Sequence, residues 1–208
     1  MLRKSLLTGA AFLIPWAAMA QGVNQVPQVG SISTIYRQPT YSASSIGLVP
    51  AASATDFFCI SPGTTKNIAI RKIKVAGTAG TAITTPVVIY ARATAATGGT
   101  PATSLAAPVP VPLNPNDPAS TATLVAYTAN PAVAANPLMM AVMEVNLPVT
   151  TAAGSNVETV MTFGSSVDMF SKGLDIPKNT TTQVCLNLNA VSVSSGVMTI
   201  YMEWTEMP

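Results

Sequence analysis

The last clear run of the chain has the sharpest pattern: Met198, Ile200, Met202 and Trp204 alternate with Thr199, Tyr201, Glu203 and Thr205. Period two with one apolar phase predicts a β-strand buried on one face. Val184, Leu186 and Leu188 alternate with Cys185, Asn187 and Asn189 in the same way and predict a half-buried strand. Further runs predict strands over 56–60 (Phe57, Phe58, Ile60), 87–93, 123–128, 138–147 and 157–163. In 138–147, Met139, Ala141, Met143, Val145 and Leu147 share one phase. Residues 66–76 are unusual because Ile68 and Ile70 have one parity while Ile73 and Val75 have the other. A strand changes phase in this way when it carries one extra residue, so a β-bulge is expected near Arg71-Lys72.

About eight short strands with Gly/Pro punctuation and no 3.6-residue apolar period predict an all-β chain. The expected architecture is an antiparallel β-sandwich of jelly-roll type over 41–208. A Pro/Gly-rich loop insertion, residues 97–120, interrupts it, with Gly98-Gly99, five prolines from Pro101 to Pro115, and then Pro118. Proline lacks an amide donor, so this stretch is expected to make no sheet ladder and to pack extended along a surface or against a neighbour. Ahead of the domain, residues 21–40 read as an extended arm or linker. Residues 1–20 read as a signal peptide: Arg3 and Lys4, an apolar run from Leu6 to Ala18, and Ala18-Met19-Ala20 before the cut. That run of about 13 residues makes roughly 20 Å of helix, too short for a hydrocarbon core of about 30 Å. No integral membrane insertion is expected. The chain is read as exported, or as virion-associated if the leader is a misassigned start.

Composition narrows the chemistry. Of 208 residues, 49% are hydrophobic and only 9% charged, against about 25% in an ordinary domain. There is no histidine, which removes Ser-His-Asp and Cys-His nucleophiles, His-ligated metals and imidazole acid/base work. Ten basic residues face eight acidic ones, and loss of Arg3 and Lys4 leaves eight against eight. A neutral chain has no electrostatic footprint for nucleic acid. Glu203 and Glu206 differ in strand parity, so they are not expected to share a face as a glycosidase pair would. Asn114-Pro115-Asn116-Asp117 reads as a turn, and the abundant methionines as core filling or a subunit interface. No enzyme activity, cofactor or metal is expected.

Cys59 and Cys185 are the two cysteines. An oxidising compartment permits a disulfide between them, worth about 5 kcal/mol in the chain-entropy model. Two separate half-buried thiols are the alternative. Tyr90, Tyr127 and Tyr201 are the candidate groups for stacking on a ligand such as a glycan, and Trp204 is assigned to the core by its phase.

Several segments together resemble a poorly characterised group of small minor structural proteins of tailed phages. They include Leu48-Val49-Pro50-Ala51-Ala52-Ser53-Ala54-Thr55-Asp56, Lys72-Ile73-Lys74-Val75-Ala76-Gly77-Thr78, Ala95-Ala96-Thr97-Gly98-Gly99-Thr100, Ala126-Tyr127-Thr128-Ala129-Asn130-Pro131 and Glu203-Trp204-Thr205-Glu206. The resemblance runs from about Tyr41 to the C-terminus and implies a virion-associated role with no catalytic residue to transfer. The leader, the cysteines and the Met-rich second half depart from it. The expected function is a non-enzymatic, oligomerising surface or particle component, and the alternative is a secreted glycan- or host-surface-binding module.

Overall fold

In a computed structural model, the described residues are 38–51, 56–132, 137–149, 157–164, 173–178, 180–189, 191, 193 and 195–208. Residues 1–20, read above as a signal peptide, and all but the end of the segment read as an arm lie outside them. Residues Gln38–Pro208 form one unit.

Among the described residues eleven strands run in chain order: β1 (Thr40–Leu48), β2 (Asp56–Ser61), β3 (Asn67–Thr78), β4 (Ile83–Arg92), β5 (Val111–Pro112), β6 (Thr123–Ala126), β7 (Leu138–Leu147), β8 (Thr159–Thr162), β9 (Leu174–Ile176), β10 (Gln183–Asn187) and β11 (Val197–Met207). The helical content of the described residues is one 3-10 turn, Ser104–Ala106. One sheet has the order β5-β1-β11-β3-β8, with β9 also on β3, and the other β6-β2-β10-β4-β7. All these pairings are antiparallel. The two sheets face each other over a shared core, in which Tyr41, Ile73, Val75, Ile200, Met202 and Trp204 meet Phe58, Ile60, Ile89, Val145 and Leu186. The chain is therefore an all-β sandwich. Five of these pairings nest, β1 with β11, β2 with β10, β3 with β8 and β9, and β4 with β7, while β11 with β3 and β10 with β4 join the nested pairs within each sheet.

The phase switch in β3 is a bulge at the expected place. Glu203 pairs with Lys72 and Trp204 with Ile70, leaving Arg71 unopposed and returning both apolar pairs to the core. In β1, Tyr41, Ala43 and Ser45 point inward and the next buried residue is Leu48. Gly47, at φ 70°, absorbs that change of phase in a conformation glycine adopts without a Cβ penalty. Gly77 meets a different demand, since a Cβ there would lie 2.4 Å from the Val197 carbonyl oxygen.

Three strands exceed the expected eight: β1, β5 and β9. Proline also misplaced one boundary, because β4 starts at Ile83 and runs through Pro86. β10 ends opposite Val88, so at Pro86 the β10 side of β4 is a local edge and the missing donor breaks no ladder there. The single phase expected for β7 breaks too. Ala141 opposes Ile89 but Met139 opposes Tyr90, so Met139 is turned out while Met140 packs on the core. β10 is buried on both faces, not one.

Trp204 is fully buried and stacks on Tyr41, with ring centroids 5.9 Å apart and planes 24° apart. Trp204→Ala is expected to cost about 3–5 kcal/mol, read as a lower urea midpoint with an unchanged slope.

Candidate functional site

The Pro-rich segment is a strap held against the edge of the first sheet. Val111–Pro112 pairs with Tyr41–Ser42, and the Leu113 amide donates to the Thr40 carbonyl at 2.8 Å. The expectation that it would form no ladder is corrected: two residues suffice for a bridge to an edge strand, where proline still offers its carbonyl. Ser45 Oγ donates to the Ala106 carbonyl at 2.6 Å, and the Tyr41 hydroxyl to the Pro118 carbonyl at 3.0 Å. Burial, then the negative charges of Glu206 and Asp117, push the Tyr41 pKa up to about 12, so this donor keeps its proton at ordinary pH. Asn114 and Asp117 close the expected turn, with the Asp117 amide donating to the Asn114 carbonyl at 2.9 Å.

Glu206 clamps the far end of the strap. Its carboxylate accepts from the Thr121 amide at 2.8 Å, Thr121 Oγ1 at 3.0 Å, the Ala122 amide at 3.2 Å and Ser120 Oγ, and it pairs with Lys66 Nζ at 3.4 Å. Burial alone would raise its pKa, but the donors of Ser120, Thr121 and Ala122 together outweigh it and leave the value below the ordinary 4.5.

Held this way, the strap leaves apolar side chains in water. Leu105 is 72% exposed, Val109 65%, Val111 53% and Ile46 50%. Between strap and β1 lies a shallow groove of about 280 Å³, lined mainly by Ala43, Ile46, Leu105, Val109 and Val111 with Ser42 and Ser44. Neither Thr40–Leu48 nor residues 101–113 contain a charged residue.

Beside this flank, the outer face of the first sheet is polar. Ser44, Tyr201, Lys74 and Val160 form one row across β1, β11, β3 and β8, and Ser42, Glu203, Lys72 and Thr162 form the next. Tyr201 is half-buried, its hydroxyl 3.3 Å from Glu203 Oε2 and its ring 5.8 Å from Lys74 Nζ. Burial, then the Glu203 charge, raises its pKa. Lys72 and Lys74 pair with Glu203 and Glu158 at 3.7 and 2.8 Å. Of the three candidate tyrosines, Tyr201 is placed here.

The other two lie on the outer face of the second sheet, beside the cysteines. Val125, Cys59, Cys185, Tyr90 and Met139 share one row. Cys59 and Cys185 are bonded to each other across β2 and β10. Tyr127 packs on them and is only 7% exposed. A Cβ at Gly99 would come within 2.6 Å of the Tyr127 ring, so the Gly98-Gly99 turn lies directly on it. Tyr127 is therefore a covered side chain and not a stacking platform. Tyr90 is half-buried under the Arg92 guanidinium, 4.8 Å from its ring centroid. Arg92 forms a bidentate pair with Asp56, Nη2 to Oδ1 at 2.6 Å and Nε to Oδ2 at 2.9 Å, and Asn187 donates to Asp56 at 2.7 Å. Arg92 is 4% exposed and Asp56 0%.

Sequence reasoning missed the Asp56-Arg92-Asn187 network and the Glu206 clamp, which join residues far apart in the chain. The apolar residues of the strap were visible, but nothing in their pattern said which would face water. No family model, curated protein or solved structure matches the chain.

Because the folded-state pKa of Glu206 lies below its unfolded value, its stabilisation is complete above about pH 4.5 and is lost as pH falls through the folded value. Protection factors of the Thr121 and Ala122 amides, with exchange referred to the intrinsic rate at each pH, are expected to fall on acidification through that range, and Glu206→Gln to remove most of that pH dependence. Arg92→Met leaves a buried carboxylate without its cation and is expected to cost about 3–5 kcal/mol in denaturant unfolding.

Proposed function

We propose that the chain is a non-enzymatic structural or surface protein whose sandwich assembles with other molecules and coats a particle or cell surface. The observation that carries this reading is the uncharged flank of β1 and the strap, where large apolar side chains stand in water beside one another. Contiguous apolar surface of this kind marks interaction sites on soluble domains. The carboxylates nearest the surfaces described have structural work: Glu203 and Glu158 face lysines, Asp56 an arginine, and Glu206 the strap.

The finer fold reading is a jelly roll. Its support is the nested pairing of β1 with β11, β2 with β10, β3 with β8 and β9, and β4 with β7, the order expected of an antiparallel chain that doubles back on itself as two Greek keys. That architecture serves viral capsid proteins and lectins alike, so it agrees with the reading without deciding it. The resemblance to minor structural proteins of tailed phages points the same way. The leader-like sequence and the Cys59–Cys185 bond support passage through an oxidising compartment.

Sedimentation velocity over a concentration series tests the assembly. Species that grow with concentration are expected, and a monomer at every concentration would sink the proposal.

A second reading, glycan binding, is favoured by Tyr201, whose half-buried ring lies among Ser42, Ser44, Lys74 and Glu203 on an open sheet face. A glycan array without hits, or hits unchanged by Tyr201→Ala, would remove it.

A further inference from the structure

We infer that Asp56, Cys59 and Cys185 form a metal site whenever the two cysteines are not bonded to each other, and that it takes a thiophilic divalent cation of the zinc class. The inference is independent of the assembly reading.

The local backbone brings the three donors together. Asp56 and Cys59 are three residues apart and would face opposite sides of a regular strand. The register between β2 and β10 slips by one residue, with Phe58 opposite Leu186 and Asp56 opposite Asn187, so Phe57 is unopposed. That irregularity turns Asp56 onto the face that carries Cys59. Cys185 lies directly opposite Cys59, and one Asp56 oxygen and the two sulfurs lie within 4.8 Å of one another. All three residues are fully buried. Zinc bonds of about 2.3 Å to sulfur and about 2.1 Å to oxygen place tetrahedral donors roughly 3.5–4 Å apart. Opening the disulfide and rotating the two cysteine side chains is the adjustment this spacing asks for. Gln183 Oε1, 3.4 Å from Cys185 Sγ, supplies the fourth donor.

Charge and surroundings select the occupant. Arg92 donates two bonds to Asp56 and Asn187 a third, which leaves one of about four lone-pair positions on the carboxylate. Such hydrogen-bonded neighbours are what orient the ligands of metal sites. Arg92 offsets the charge of Asp56, and a divalent cation offsets two thiolates, so the filled site is neutral. A monovalent cation would leave a net charge buried. Thiolates favour zinc or cadmium over magnesium and calcium, which take oxygen ligands. The set needs no histidine, so the lack of that residue does not count against it. Tyr127 and the Gly98-Gly99 turn cover the sulfurs, and the Ala96 amide donates to Gln183 Oε1 at 2.9 Å. Four protein donors under such a cover make a structural site that joins β2 to β10, not a catalytic one.

Disulfide and metal are therefore alternatives at one place. A small dithiol reduces the bond, leaves as a cyclic disulfide and gives up its two hydrogens to the cysteine sulfurs. The cation then binds both sulfurs as two protons depart. In a chain that has not been oxidised only the second step is needed.

The test uses the full chain, refolded with a phosphine so that no foreign thiolate competes. The phosphine becomes its oxide, taking oxygen from water while the water hydrogens go to the sulfurs. Cobalt(II) and zinc are the probes. Cys59 and Cys185 are the two cysteines of the chain, so a sulfur-to-cobalt charge-transfer band arises from them. One cobalt per chain is expected, with that band, the visible bands of tetrahedral coordination, and displacement by zinc. The disulfide-bonded chain is expected to show none of these, and Cys59→Ser to lose tight binding. Asp56→Asn is expected to weaken binding roughly 10- to 100-fold with the band retained. Asn187→Ala keeps the buried ion pair while loosening the carboxylate, and is expected to weaken binding in the same direction. A reduced chain without the band, two chains sharing one cobalt, or affinity unchanged by both Asp56→Asn and Asn187→Ala would overturn the site. Where the reduced chain does not fold alone, zinc decides: a cooperative thermal transition regained on its addition supports the site, and none regained overturns it.

Discussion

The first sheet is organised around β11. β11 lies between β1 and β3, pairing with one along Thr40–Leu48 and with the other from Asn67 to Thr78. Its inward phase supplies Met198, Ile200, Met202 and Trp204, all fully buried. Without it, β1 and the strap would lose their attachment to the rest of the sheet, and Tyr41 its stacking partner. Such pairings between distant parts of the chain carry loop-closure entropy that must be met before they stabilise anything.

The strap shows how a proline-rich segment can be ordered without a ladder of its own. It borrows two positions on β1, a serine and a tyrosine hydroxyl, and a carboxylate near the end of β11. Each partner satisfies a backbone group that would otherwise have to remain in water. The same attachments fix where the apolar side chains of the strap point. The surface offered for contact is thus set by polar bonds behind it.

Much of the fold was legible because a two-residue period is a strong signal. The parity switch between Ile70 and Ile73 located a bulge to within a residue, and the phase of Trp204 assigned it to the core. β1 was not legible as a strand because its inward positions are Tyr41, Ala43 and Ser45, too small and mixed to stand out. β5 and β9 are too short to show a period. The candidate tyrosines separated for a tertiary reason: alternation places Tyr90, Tyr127 and Tyr201 on outer faces, but only contact between distant loops decides which outer face is covered. The same limit hid the bond from Arg92 to Asp56, 36 residues apart.

The covering of Cys59 and Cys185 by Tyr127, with the Gly98-Gly99 turn above it, has a chemical consequence. Thiol–disulfide exchange needs an incoming thiolate to approach a sulfur atom in line with the bond. Here that approach requires the overlying loop to lift first. The persistence of the bond in a reducing medium would then follow how often that loop opens, so a reductant strong enough on equilibrium grounds could still act slowly on the native protein.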